Sequence, residues 1–427
     1  MLSIASAARP LVVLLACATI LAATRTSTAA DPATIAKHAR WVTSLAFSPD
    51  GKTLATAGGE SLLYRPGDVK LWDVAGGNEK ASLAGHETTV WAIAFSPDGA
   101  TLATSGYDGT VKLWDVAAAK ERATLKKHKL WSRALAFSPD GKTLASGSED
   151  ATIVLWNVAD GKEGKTLSGH EGAVNGVAFS RDGKLLASAS GDKTVRLWNP
   201  EEGKETAKLT THTDSVWCVS FAADNSKLAT AGADRTIKLW DLAGKELLTL
   251  LGHKNWVTAV AFAPDGKTLA SGSHDRTVML WNLEAAATLA SPVAAALNAQ
   301  REARLALDTA SAEAATTAKA VETAKAAVAA AGADAAKKAE AEKAVPEAEK
   351  AATAAAEKKT AAEKAAAEAT AKAEEVFKQI GAPLPAFKST LWTVAYSPDG
   401  KILATGSHDE SLRLWEVEGK KFMFAAP

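Results

Sequence analysis

Apolar and polar positions along the chain alternate in short runs, and the runs return at a nearly fixed interval. The stretch LATSGYDGTVKLWD, Leu102 to Asp115, holds two such runs around a Tyr-Asp-Gly turn and ends at Trp114. Equivalent tryptophans stand at Trp72, Trp156, Trp198, Trp240, Trp281 and Trp415, about 42 residues apart until Trp281. That period is one supersecondary unit of four short strands. Each unit but the last opens with a histidine, and each has an apolar strand ending in an aromatic residue, as in GHETTVWAIAF from Gly85 to Phe95. A turn written SPDG follows at Ser48, Ser96, Ser138 and Ser397, with variants at Ser180, Ala222 and Ala263. Proline fixes φ at the first corner, and Asp-Gly tolerates the positive φ that closes the hairpin. Two more strands lead to the tryptophan, and a weaker fourth (ATLKK, KTLSG, AKLTT) leads to the next histidine. Evenly spaced short strands without βα alternation predict a closed all-β array.

The pattern breaks once. From about Pro292 to Pro383 the chain becomes rich in alanine, lysine and glutamate, delaying the last unit by about 92 residues. These are strong helix formers, so two long helices are predicted, Val293 to Ala330 and Ala333 to Gln379. Gly332 and Asp334 supply the turn between them, Pro346 should kink the second, and Gly381-Ala382-Pro383 stops it. Ala286 to Ala290 reads as a fourth strand before the insertion. The insertion's two ends must then lie close together, which suits an antiparallel, coiled-coil-like hairpin of roughly 55 to 60 Å. Bulky apolar residues are sparse (Leu297, Leu305, Val321, Val328, Val345, Val376), so the helices meet mostly through alanine and the arm should be mobile.

The recurrence of His, an SPDG-type turn, Asp and terminal Trp-Asp or Trp-Asn resembles the WD-repeat β-propeller family, here in an exported bacterial form with a helical insertion. Seven copies carry the resemblance. It implies a seven-bladed ring of four-stranded sheets around a channel, with the helical hairpin between blades six and seven. In such a ring the other end of the chain completes the last blade. Ala33 to His38 matches the fourth-strand segments, and Lys421-Phe422-Met423-Phe424 competes for the same place.

Four residue types recur together: His86, Thr104, Asp108 and Trp114; His128, Ser146, Asp150 and Trp156; His170, Ser188, Asp192 and Trp198; His212, Thr230, Asp234 and Trp240; His253, Ser271, Asp275 and Trp281. Hydroxyl, imidazole and carboxylate together suggest a hydrolase. An active site, however, would occur once, beside an oxyanion hole and an open cleft. The resemblance implies instead a structural chain from indole to hydroxyl to imidazole to carboxylate. Such a buried network needs every member satisfied. Blade seven has Phe387 in place of the histidine and keeps Thr405, Asp409 and Trp415. Blade one keeps His38, Thr56 and Trp72, but its longer loop, Glu60 to Gly67, gives the aspartate position to Glu60 or loses it.

Six tryptophans remain. Trp41, Trp131 and Trp256 stand three residues past the histidine position, and Trp91, Trp217 and Trp392 stand five past it. Valines at the fourth place (Val90, Val216, Val257) read as buried, so all six tryptophans should open the innermost strands and face the channel mouth or upper rim. Blade four has Ala173 and Asn175 instead. The six either plug the channel by packing on one another or form an aromatic contact surface. Tyr107, His274 and His408 should share that face, with Arg133 adding a charge and Tyr64 and Arg65 projecting from blade one's loop. The arm should emerge on the same face, and that clustering marks a partner-binding side.

Composition changes little. Basic and acidic residues both total 49 of 427, so nothing steers the chain to nucleic acid. The first 30 residues read as a secretory signal. Arg9 precedes the apolar run Leu11 to Ala23, and Thr28-Ala29-Ala30 offers cleavage before Asp31. That run is too short for a retained membrane span. Leu14-Leu15-Ala16-Cys17 only faintly resembles a lipoprotein anchor. After cleavage Cys218 is the sole cysteine, and no internal disulfide forms. The expectation is a periplasmic or secreted, non-enzymatic scaffold without cofactor or metal, binding partner proteins through the upper face and the arm. The alternative is a small-ligand or glycan binder, or an enzyme, at the tryptophan-lined mouth.

Overall fold

In the computed structural model the described residues are 36–37, 41–59, 65–288, 290–384, 387–418 and 421–424. Seven antiparallel sheets follow one another along the chain. Blade one runs from Trp41–Phe47 to Glu79–Ser82, blade two from Val90–Phe95 to Lys120–Lys126, and blade three from Ser132–Phe137 to Glu163–Ser168. Blades four and five open at Val174–Phe179 and Val216–Phe221. Blade six opens at Val257–Phe262 and blade seven at Leu391–Tyr396. The SPDG turns form as expected. In blade one the Ser48 hydroxyl donates to Asp50 Oδ1 (2.6 Å), and Asp50 accepts the Lys52 N–H (3.0 Å) while Gly51 takes φ of 70°.

The core lies between the blades. Each of seven apolar clusters joins two neighbours, as where Ala103, Leu113 and Leu125 of blade two meet Leu144, Val154 and Trp156 of blade three. Leu45, Phe47 and Trp72 of blade one meet Leu412 and Leu414 of blade seven, so the ring closes. Each repeat-terminal tryptophan is at most 5% exposed, which is why the unit cannot vary there. The SPDG turns and the links from third to fourth strand share one end of the ring, called lower here. The links from second to third strand and from blade to blade share the upper end.

Closure differs from the either-or expectation. Ala36–Lys37 pairs with the first half of blade seven's third strand (Ala36 opposite Leu412) and Lys421–Phe424 with its second half (Phe422 opposite Trp415). Both termini divide one edge, so no long open edge remains there.

The insertion also differs in place. Of the residues expected as blade six's fourth strand, Ala286 to Thr288 lie in the short helix α1, Leu283–Thr288, whose Leu283 and Ala286 pack into the core between blades five and six. The long helices α2, Ala290–Ala330, and α3, Ala335–Ile380, follow. Gly381–Pro383 then returns as the outermost strand of blade six, Gly381 opposite Trp281. The helical segment therefore sits before the last blade, inside blade six, and does not extend to Pro383. It occupies a third-to-fourth strand link, so both its ends join the ring at the lower end. The expected clustering of the arm with the upper rim is thereby overturned: antiparallel alternation puts them at opposite ends.

Bonds Gln300 to Thr370 (3.2 Å), Lys358 to Glu313 (3.0 Å) and Lys325 to Glu349 (2.8 Å) set α2 and α3 antiparallel. Alanines such as Ala310, Ala355 and Ala373 fill the seam. The turn has Gly332 at φ of 52°, and the Asp334 carboxylate accepts the N–H groups of Ala336 and Lys337 as an N-cap. α3 continues through Pro346. Among the described residues no helix is long and apolar enough to cross a membrane. The signal segment with Cys17, His38, and Glu60 and Tyr64 of blade one's loop lie outside the described residues.

Candidate interaction surface

The five tetrads form one repeated network. In blade two the Trp114 indole N–H donates to Thr104 Oγ1 at 2.7 Å, and that hydroxyl lies 2.7 Å from His86 Nε2. His86 Nδ1 stands 3.2 Å from Asp108 Oδ2. Corresponding distances in blades three to six fall between 2.7 and 3.2 Å. Having accepted the indole N–H, the hydroxyl can give its own proton to Nε2 while Nδ1–H donates to the carboxylate. This order needs neutral imidazole. Desolvation accordingly pushes His128 and His170 below the ordinary value. Burial alone would raise Asp108, but hydrogen bonds from His86 and Thr110 overcome it and hold it at about 2. Asp234 is held at about 2 in the same way by His212. Every hydroxyl is fully buried, so no substrate reaches it.

Blades one and seven depart from this. Trp72 donates to Thr56 at 2.7 Å and Trp415 to Thr405 at 3.1 Å. Phe387 fills the histidine's space 5.6 Å from the Trp415 ring, and the Arg413 guanidinium lies 4.4 Å over Phe387.

The six remaining tryptophans fall into two classes. In every innermost strand the register slips at the residue five past the histidine position, a β-bulge that aims one side chain out of the ladder. These seven residues are Thr43, Trp91, Arg133, Asn175, Trp217, Thr258 and Trp392. The polar ones tie blade to blade: Thr43 donates to the Val90 carbonyl (2.6 Å), Asn175 to Val216 (3.0 Å) and Thr258 to Leu391 (2.7 Å). Thr43 and Thr258 were not singled out from sequence, although their constant offset from the histidine would have revealed them. Trp41, Trp131 and Trp256 lie at or just before the strand start, higher on the rim.

Rings from both classes touch in succession. Trp131 meets Tyr107 at 4.1 Å between centroids, Tyr107 meets Trp91 at 5.5 Å, and Trp91 meets Trp392 at 5.5 Å. His274 follows at 4.8 Å, then Trp256 at 5.3 Å and Trp217 at 5.9 Å. This string links blades three, two, seven, six and five across the mouth. Trp41 stacks separately on His408 at 3.9 Å. Arg133 lies over Trp131 and Trp91 (5.3 and 5.9 Å) and pairs with Glu149 at 3.3 Å, so its charge is committed within the surface. Arg65 is exposed. Burial, with the His408 charge, lowers His274.

The string leaves an exposed apolar crest. Leu130 is 49% exposed, Trp131 38% and Trp256 43%, and Leu130 was not anticipated. Beneath it Trp217 Nε1, Trp392 Nε1 and His274 Nε2 are buried without a hydrogen-bond partner among the described residues. Desolvation pushes the Cys218 thiol up to about 12, so it is not a reactive thiolate. Among the described residues no cluster of His, Cys, Asp and Glu is arranged to hold a metal.

Comparison with known families agrees with this geometry. The family model for the WDR3 first beta-propeller domain matches residues 66–242. That for the WD domain, G-beta repeat, matches 32–73, 244–282 and 380–416. The chain is a WD-repeat β-propeller. The third repeat match begins where α3 ends, so the helical segment interrupts an otherwise continuous array. WD-repeat propellers generally serve as protein-interaction scaffolds and are typically non-enzymatic. No curated protein matches the chain.

Proposed function

We propose that this WD-repeat chain is an exported, non-enzymatic scaffold that holds a partner protein at the upper mouth. The observation that carries the reading is the exposed crest of Leu130, Trp131 and Trp256 over desolvated, unpartnered indole donors. An aromatic crest offers large rigid contact area, and the donors beneath it suit backbone carbonyls of an inserted loop. The helical arm is a second contact element, rooted at the opposite end. Export rests on Arg9, the apolar run Leu11 to Ala23 and the small residues Thr28-Ala29-Ala30. The non-enzymatic reading rests on the tetrads, whose hydroxyl, imidazole and carboxylate groups are consumed by one another.

The test is affinity capture from an envelope extract with the chain from Asp31 onward, beside a Trp131→Ala/Trp256→Ala double variant. Partners held by the first and lost by the second support the reading. Partners held equally by both, or none held by either, refute it. Saturable quenching of tryptophan fluorescence by cell-wall saccharides, with no protein captured, would transfer the mouth to the glycan alternative.

A further inference from the structure

One seam between blades is open where its neighbour is filled. In blade two Trp114 pairs with Glu121, and the next residue, Arg122, reaches across the lower end. Its guanidinium donates to Thr101 Oγ1 at 3.2 Å and to the Val158 carbonyl of blade three at 2.5 Å. In blade one the same position is Lys80, whose ammonium reaches Thr53 Oγ1, at 3.0 Å, and no other acceptor among the described residues. In blade three Trp156 pairs with Glu163 and the next residue is Gly164. A Cβ there would come within 2.9 Å of the Leu155 carbonyl oxygen, so the position cannot fill its own seam without moving backbone. A cleft of about 700 Å³ remains between blades three and four, floored by Leu155, Trp156 and Phe179.

Its polar wall repeats the filled seam. Thr143 opens the second strand of blade three as Thr101 opens that of blade two, and Pro200 stands two residues past Trp198 as Val158 stands past Trp156. Both line the cleft. The Thr143 hydroxyl and the Pro200 carbonyl accept no hydrogen bond from any described residue. Around them are Asp140, Asp182 and Glu201 against Lys142 and Lys165, an excess of one negative charge. Lys165 is committed to the Glu201 carbonyl at the outer edge. Hydrogen bonds from Ser138 and Ser180 and from backbone N–H groups hold Asp140 and Asp182 below the ordinary carboxylate value.

We propose that this cleft takes an arginine side chain of a partner protein, its guanidinium occupying the place that Arg122 fills one seam earlier. The planar guanidinium fork of Arg122 bonds acceptors on two different blades, whereas among the described residues the Lys80 ammonium bonds the Thr53 hydroxyl of its own blade. The partner-binding reading supplies only the source of the arginine. The cleft lies at the lower end and its test leaves the upper crest untouched, so either idea fails without the other.

The test uses the chain from Asp31 onward and the blocked peptide Gly-Arg-Gly carrying a terminal photoreactive group, with crosslinks located by mass spectrometry. Crosslinks are expected in 138–143 and 200–203, reduced at least fivefold when citrulline or lysine replaces arginine. Thr143→Val reduces them similarly while thermal unfolding stays near that of the unmodified chain. Arg122→Ala, which vacates the neighbouring seam, adds crosslinks in 97–101 and 158–161. Equal crosslinking by the citrulline peptide, none at the open seam, or no second site in Arg122→Ala overturns the proposal. Free arginine competing tenfold better than the blocked peptide would overturn the protein source.

Discussion

Removing one hydroxyl from a complete tetrad should cost more than removing its counterpart in blade seven. Thr230 Oγ1 is fully buried, accepts the Trp240 indole N–H at 2.8 Å and lies 2.8 Å from His212 Nε2. Thr230→Val keeps the shape and the strand preference but leaves two buried polar groups without partners. At about 1–3 kcal/mol for each, the loss is about 2–6 kcal/mol. Thr405 is equally buried, but Phe387 stands where the imidazole would be, so Thr405→Val deprives chiefly the Trp415 indole, bonded at 3.1 Å. The loss there is about 1–3 kcal/mol. Equilibrium unfolding in guanidinium chloride, followed by circular dichroism, measures both. Equal losses in the two variants, or less than about 1 kcal/mol for Thr230→Val, would refute the reading of the tetrads as satisfied structural networks.

Three further outcomes follow from the structure. His128 and His170 are held neutral, with folded pKa below the unfolded value of 6.5. Their contribution is present above that value and shrinks as pH falls below it, because the unfolded chain then binds more protons. Asp108 and Asp234 add a second loss between 3.8 and about 2. The melting temperature should therefore fall on acidification from pH 7 to 5 and again below 4, and a rise over the first interval would contradict the tautomer assignment. Replacing Ala290–Ile380 by a short glycine-serine bridge should leave the ring melting within a few degrees of the full chain. Extending the deletion through Pro383 removes blade six's outer strand and should lower the melting temperature markedly; equal melting of the two would contradict the strand assignment. Thr258→Val removes the 2.7 Å bond to the Leu391 carbonyl and should cost about 1–3 kcal/mol, measurable in the same denaturation assay.

What was legible in the sequence was what local chemistry dictates. The SPDG turns, the repeat tryptophans, the tetrads and the two long helices rest on residues close in the chain or repeated in register, and the structure places them as expected. Features that depend on a distant pairing partner were not legible. Gly381-Ala382-Pro383 has no strand character of its own, and becomes a strand only because Met279 to Trp281 present an edge. Leu283–Thr288 becomes helical once that edge is taken. The two tryptophan offsets looked equivalent because a bulge is invisible until two strands are paired; paired, they divide into Trp91, Trp217 and Trp392 in the channel and Trp41, Trp131 and Trp256 on the rim. Gly164 is an ordinary glycine in the sequence, and the cleft it leaves is recognisable as an open seam only by comparison with the neighbouring seam that Arg122 fills.

Hydrogen–deuterium exchange on the chain from Asp31 onward, alone and with its captured partner, tests the central claim most directly. Partner binding through the upper mouth predicts slowed exchange at 107–110, 129–132, 254–257 and 274–277, with the SPDG turns unchanged. Protection confined to α2 and α3, with the upper loops unchanged, would contradict it and make the arm the recognition element.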